Sequence, residues 1–484
     1  MNAPLRTNRP SHLADLSERF NRMTPLSKAR AERDRPVFAD KSSIGLRFAA
    51  ETKQMCYPVV VDHAEGAWLR DIDGNRYLDI LQGLGINLFG HNPACVREAL
   101  ARQIEQGFPI GPQSPLVGEV ARLVTEITGV ERLCFSNTGT EAVMTAIRVA
   151  RAATGRPCVA IFTNSYHGHH DVGLMRAPLR QYARKRVIER AAHTPWLRPL
   201  ARLLDKGMSV GAVPAFAGVS GGAARDVIVL EYGHPASLDV LRRRARDIAA
   251  VLVEPVQSRC TELQPADFLR ELRTLTQATA TVLVFDEMVT GFRVAAGGAQ
   301  AHFGIQADLV TYSKIVGGGL PLSVLGGKAE LMARIDGGTW RFDDDSAPTT
   351  PTTFFAGTFT KHPLSLAAAH AVLTRIRDEG PALYDRLNTA TATLVTRLNG
   401  WCNSQAVPLQ FTHFGSFFTL ANSRSRLPDD VRPLLSYHLL LRGVHLRIGD
   451  VGGFLCTEHT DADIDHIVNA FTDSLGALRA DGLI

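Results

Sequence analysis

Lys314 stands in the string TYSKIVGGGLP, residues 311–321, a single amine in a short polar turn just ahead of three consecutive glycines. Glycine weakens regular structure and is kept where backbone must come close to something. The lysine therefore reads as a surface charge, a phosphate clamp, or an amine that forms an imine with a carbonyl. Three other strings carry chemistry that would complement it. SNTGTEA, residues 136–142, sets small residues where a helix begins, and free N–H groups at a helix start suit a phosphate. An ordinary N-cap on Thr138 or Thr140 is the plainer alternative. SYHGHHD, residues 165–171, offers Tyr166 as a flat face for a planar ring. Its histidines, His167, His169 and His170, lack the i, i+4 spacing of a helical ligand pair, so no metal is expected. VLVFDEMVTGF, residues 282–292, ends an apolar run with Asp286 and Glu287. An acid there is either a cap for the next element or a buried carboxylate with a cationic partner.

The elements that must position these groups are legible as a pattern. RLCFS, CVAIF, VIVLEY, AAVLVEP and TVLVFDE are short, apolar runs, most of them β-rich, each followed by a polar or acidic residue. Helical strings such as LVGEVARLVTEITG and EAVMTAIRVARAATG separate them and end at Gly. Strands apolar on both faces and separated by helices predict a mostly parallel sheet between helices, with ligands at the carboxyl ends of the strands. Ahead of this region, YPVVVDHAEGAWLRDIDGNRYLDIL alternates around two turns and predicts an antiparallel meander, preceded by a polar, loosely packed arm of about 35 residues with one short helix. Beyond residue 360, helices continue with weaker strand signals at LQFTHFGSFFTL and GVHLRIG. The expected organisation is an arm and meander over 1–93, a large α/β domain over 94–355, and a small α+β domain over 356–484.

Composition bounds the rest. The chain has 484 residues, 45% hydrophobic and 21% charged, with no run of about 18 apolar residues and no apolar core of a signal peptide at its start. Seven scattered cysteines without a CxxC fit reduced thiols in a cytoplasmic protein. The net charge of +5 is local: nine basic and two acidic residues between Arg176 and Lys206 give that stretch +7 and leave −2 for the remainder. Such a patch argues against a general nucleic-acid binder and for one acidic partner or surface.

Gathered on one sheet edge, the four strings would supply a phosphate cradle, an aromatic face, a carboxylate able to keep a ring nitrogen protonated, and an imine-forming amine. That set matches pyridoxal 5′-phosphate (PLP). At these residues the sequence resembles the class III, fold-type I PLP-dependent aminotransferases, from about residue 55 to its end. The resemblance implies that Lys314 is the Schiff-base lysine and Asp286 the partner of the pyridine nitrogen, with Tyr166 stacked on the ring. It further implies that Thr138, Gly139 and Thr140 bind the phosphate, and that Gln257 lies near the ring hydroxyl with Glu254 supporting the site. Gly357 and Thr358 would reach the phosphate of the other subunit, which implies a homodimer. Arg293, in TGFR, is a candidate carboxylate clamp, though an ion pair within the scaffold is the plainer role.

A narrower resemblance is carried by MTPLSKARAERDRPVFADKSS, NLFGH, IGPQSP, VEPVQSR, GGAQAHFGIQADL and FFAGTFTKHPL. These are similar to the aminotransferase modules of hybrid polyketide–nonribosomal peptide synthases, which aminate a β-keto acyl thioester on a carrier protein. The resemblance implies an amino donor, a keto acceptor and an acyl carrier protein as partners, and the basic stretch 176–206 then reads as a substrate lid, a carrier-docking surface or a solvated helix. Glutamate-1-semialdehyde aminomutases share TGFRVA and GGGLP but have an acidic EAGF where this chain has VGGF, residues 451–454. A non-catalytic protein on the same fold would be expected to lose Lys314.

Overall fold

The computed structural model of the chain describes residues 9–39, 48–178 and 211–484. The basic stretch 176–206 lies outside the described residues from position 179 onward. The chain forms two compact units: one of Met1–Glu98, Cys260–Glu262 and Glu379–Ile484, the other of Ala99–Arg259 and Leu263–Asp378.

The larger unit is built on a seven-stranded sheet. In spatial order its strands are Arg132–Ser136, Ser323–Gly327, Leu309–Tyr312, Val282–Asp286, Ile248–Val253, Cys158–Phe162 and Val227–Leu230. Only Ser323–Gly327 runs antiparallel to its neighbours; the other pairings are parallel. Alternating residues explain why the runs are apolar throughout. Val159 and Ile161 pack with Val143, Ile147 and Ala150 of the helix Gly139–Thr154. Phe162 instead meets Phe268 of the helix Ala266–Ala278 edge-on, ring centroids 5.8 Å apart. Both faces are thus covered, as a parallel sheet requires.

Two strands escape the sequence reading, Leu309–Tyr312 and Ser323–Gly327, and they flank Lys314. The second ends in two glycines, which strand propensity disfavours. The reason is close approach. A Cβ on Gly327 would overlap the carbonyl oxygen of Asp308 and stand 2.8 Å from Leu309 Cδ2.

In the smaller unit, the strands Val61–Glu65, Trp68–Asp71 and Arg76–Asp79 form the expected antiparallel meander. Val444–His445 adds a fourth strand, parallel to Arg76–Asp79, with Val444 opposite Leu78. Phe411–Phe414, Phe417–Leu420 and Gly452–Phe454 make a separate three-stranded sheet. Where three segments are expected, the described parts of residues 1–93 and the C-terminal part share one core, and the helix Pro363–Glu379 goes almost entirely with the larger unit. The N-terminal arm is corrected too. It carries two helices, Arg9–Met23 and Pro25–Asp34, and the first buries His12, Leu16 and Phe20, one residue per turn of a single face. Three residues in fifteen are a faint apolar stripe among charges, which is why the arm reads as loose. All seven cysteines are free, and among the described residues no helix is long and apolar enough to cross a membrane.

Gly327→Ala is expected to destabilise the larger unit by about 1–3 kcal/mol, because backbone cannot yield as a side chain can. Gly326→Ala meets only the Val130 side chain, nearest atom 3.0 Å, and should cost less. Urea denaturation of both variants checks this, and equal midpoints would contradict it.

Candidate active site

Register delivers the candidate groups to one edge. Phe285 pairs with Val253 and Asp286 with Thr311, so Glu254, Asp286 and the turn leading to Lys314 leave three adjacent parallel strands at matching height. The amide of Glu287 bonds the carbonyl of Thr311 at 3.0 Å, which locks the two strand ends together. On the far side, Ser323 lies opposite Ser136, and its hydroxyl donates to the carbonyl of Thr138 at 2.7 Å. The loop 163–167 follows Cys158–Phe162 at the same edge.

Lys314 opens a single tight turn, Lys314–Gly317, with left-handed backbone at φ 53°. A non-glycine residue there is strained by about 1 kcal/mol, a feature that clusters at functional positions. Of the glycines that follow, Gly318 has φ +59°, and a Cβ on it would stand 2.9 Å from the carbonyl oxygen of Ala368. Gly318 is therefore needed for close contact with the helix Pro363–Glu379. Burial pulls the Lys314 amine below the ordinary lysine range; Asp286 and Glu254 oppose that and Arg293 adds to it. The result favours a neutral, nucleophilic amine.

The adjacent acids take the two roles the sequence left open. Asp286 Oδ2 lies 2.7 Å from His167 Nδ1, both side chains buried. Glu287 accepts from the amides of Ala299 and Gln300 at 2.6 and 2.9 Å and from the Thr290 hydroxyl, anchoring the short helix Gly298–Phe303. Burial pushes its carboxyl up to about 7 despite those bonds. Sequence reasoning weighed His167 only as a metal ligand and missed its bond to Asp286. Nothing in local spacing pairs residues 119 apart; only the shared sheet edge could have suggested it. Among the described residues no cluster of three or more His, Cys, Asp or Glu is gathered to hold a metal. The three histidines differ instead: His169 is exposed, and burial drops His170 to about 4.

Glu254 is buried and accepts the Tyr166 amide at 2.9 Å and the Ser258 amide at 3.3 Å; burial pushes its carboxyl up. Gln257 is buried, its side-chain nitrogen donating to Thr163 O at 2.7 Å and to Ser165 Oγ at 2.8 Å. Tyr166 is 49% exposed. Arg293 is fully buried.

Thr138 caps the helix Gly139–Thr154: its hydroxyl accepts from the Glu141 amide, and Glu141 accepts from the Thr138 and Asn137 amides. This is a reciprocal capping box. Among the described residues, the amides of Gly139 and Thr140 have no hydrogen-bond acceptor. Gly357 and Thr358 lie in an exposed stretch, and a Cβ on Gly357 would stand 3.7 Å from Asn137 Nδ2 of the same chain. The structure thus brings Lys314, Asp286, Glu254, Gln257, Tyr166 and the 138–140 turn to one sheet edge, with Gly357 beside Asn137.

An α/β sheet that carries a buried lysine amine and a buried carboxylate on neighbouring strand ends is a scaffold suited to a carbonyl-handling, cofactor-dependent transferase. Comparison with known proteins gives the family. The profile described as Aminotransferase class-III matches residues 48–428. A glutamate-1-semialdehyde 2,1-aminomutase of Alkaliphilus oremlandii is 33% identical over 431 residues, covering 87% of this chain and 92% of that protein. A β-phenylalanine aminotransferase of Variovorax paradoxus superposes with TM-score 0.78 and 28% identity, covering 97% of this chain and 98% of the other. An omega-transaminase of Sphaerobacter thermophilus superposes with TM-score 0.79 and 27% identity, over 94% of this chain and 98% of that one. The chain belongs to the class-III aminotransferases, PLP-dependent transaminases of fold type I. The residues present fit that cofactor: two helix-start amides without an acceptor, an amine held down by burial, a buried carboxylate, and a half-exposed aromatic ring.

Two outcomes test this geometry on the cofactor-free protein. Lys314 should react with an amine-directed reagent with a midpoint below the ordinary value of 10.5. Asp286→Asn removes a group that raises it, so the midpoint should fall further; a midpoint in the ordinary range would contradict the burial argument. Thr138→Ala should lower stability by about 1 kcal/mol through loss of the cap. An unchanged melting temperature would leave its hydroxyl free for a ligand alone.

Proposed function

We propose that this enzyme moves an amino group from an amino-acid donor to a keto acceptor of the β-keto acyl class, leaving the new amine on the β carbon. The observation that carries the chemistry is the pairing of Lys314 and Asp286 on adjacent, register-matched strand ends, with the amine held down by burial. The β position is supported by similarity to a β-phenylalanine aminotransferase and by the strings shared with hybrid-synthase modules. The same strings favour secondary-metabolite biosynthesis, with the acyl group free or on an acyl carrier protein. Seven free cysteines suit the cytoplasm.

PLP supplies a carbonyl that captures an amine and a protonated ring that accepts the electron pair left when a C–H bond breaks. Lys314 Nζ would hold the cofactor covalently, and the same amine, when free, would take the proton from the carbon bearing the substrate's amine. Asp286, fixed by His167, would keep a proton on the ring nitrogen. Tyr166, pinned by Glu254 through its amide, would cover the ring, and Gln257 would serve the ring hydroxyl. Thr138, Gly139 and Thr140 would hold the phosphate, the last two through their amides. In a homodimer, Gly357 and Thr358 would reach the phosphate bound by a second copy. Exposed Phe354 and Phe359 beside them would then be covered.

A second reading, amine migration within glutamate 1-semialdehyde, is favoured by the identity to curated aminomutases and opposed by the missing acidic EAGF string. The two differ in products. With a β-amino acid and an α-keto acid, the proposed activity yields an α-amino acid and a β-keto acid in equal amounts. With glutamate 1-semialdehyde alone, an aminomutase yields an isomer and no second product. Turnover of the semialdehyde alone, with none of the β-amino acid or its carrier thioester, would overturn the proposal. Lys314→Ala should cut turnover by at least about 10²–10⁴-fold, and normal turnover would remove it from its role.

A further inference from the structure

Arg259 lies two residues beyond Gln257, on the loop that Glu254 holds through the Ser258 amide at 3.3 Å. It is exposed, and it carries neither an ion pair nor a side-chain hydrogen bond among the described residues. Several other arginines of this unit are engaged instead. Arg132, Arg242, Arg244 and Arg270 each hold a carboxylate. Arg259 instead stands over Tyr166: its guanidinium carbon lies 5.9 Å from the ring centroid. At that distance the cation is attracted to the ring face, and the planar group is held without using its five N–H donors.

The placement is informative because of what surrounds it. Glu254 and Asp286 put two carboxylic acids at this edge, and Glu254 bonds the amide of Tyr166 itself. An incoming substrate with an oxyanion needs a counter-charge here, preferably one that can bind two oxygens side by side. Arg293, the arginine singled out by the sequence, is fully buried and offers no such surface.

We infer that Arg259, held over Tyr166, is the residue that recognises the substrate's anionic group. The inference rests on the β-amino acyl reading above and names its specificity determinant. Two substrates share the chemistry: the carboxylate of a free β-amino acid, and the phosphodiester of a carrier protein's prosthetic arm.

Binding to the PLP-loaded enzyme separates them without relying on turnover. Three probes, titrated by calorimetry into wild type, Arg259→Met and Arg259→Lys, are 3-phenylpropanoate, its carboxamide, and 4′-phosphopantetheine. Wild type should bind at least one anionic probe more tightly than the carboxamide. Arg259→Met should weaken that probe by about 10–100-fold, equivalent to about 1.4–2.8 kcal/mol, leave the carboxamide unchanged, and be partly rescued by Arg259→Lys. Loss confined to 3-phenylpropanoate assigns the carboxylate, and loss confined to 4′-phosphopantetheine assigns the carrier arm. Equal weakening of the carboxamide would make Arg259 a support for the Tyr166 ring only. No preference for an anion in wild type, or no change in Arg259→Met, would equally overturn the inference. Turnover of β-amino acids and their carrier thioesters by the wild type is scored separately, so failure of the functional reading is distinguishable from failure of this one.

Discussion

The parallel register of three strand ends is the constraint on which the rest depends. Val253, Phe285–Asp286 and Thr311 are aligned across Ile248–Val253, Val282–Asp286 and Leu309–Tyr312. The side chains of Glu254 and Asp286, which leave these strands at their carboxyl ends, are then buried at one edge. Low hydration has opposite effects on the two kinds of group gathered there. It pulls the Lys314 amine down and pushes the Glu254 carboxyl up, because burial disfavours whichever form is charged. A slip of one residue in any of these pairings would turn the key side chain to the other face of the sheet.

The scaffold around this edge consists mostly of devices that prevent such a slip. Glu287 is committed to Thr290 and to the amides of Ala299 and Gln300, while its own amide ties the strand end to Thr311. Asp286 beside it is thereby left for His167. Glu254 and Gln257 fix the loop that carries Tyr166 through its backbone and through Thr163 and Ser165. The reciprocal cap between Thr138 and Glu141 determines where the helix Gly139–Thr154 begins. Lys314 itself has left-handed backbone, and Gly318 lets the turn that follows it approach the carbonyl of Ala368.

How much of this was legible in the sequence follows from which forces are local. Apolar runs ended by acids show a buried strand and its carboxyl end, so Asp286, Glu254 and the start of the 139–154 helix could be placed without coordinates. Lys314 was legible as chemistry, but the strands on either side of it were not, because Leu309–Tyr312 is short and Ser323–Gly327 ends in glycine. The partnership of His167 with Asp286, the cation of Arg259 over Tyr166, and the joining of residues 61–79 to Val444–His445 are all long-range. Each depends on pairing between distant segments, which composition and periodicity do not carry. The glycine run reads as close backbone approach; at Gly318 the partner is the carbonyl of Ala368, which only the structure brings into view.

The central claim is that Lys314, on this edge, is the amine that holds PLP. Hydride reduction of the PLP-loaded enzyme, followed by peptide mass mapping, tests it most directly. The account predicts a phosphopyridoxyl adduct on the peptide containing Lys314. An adduct confined to another lysine, or no adduct on a protein that has bound PLP, would contradict it.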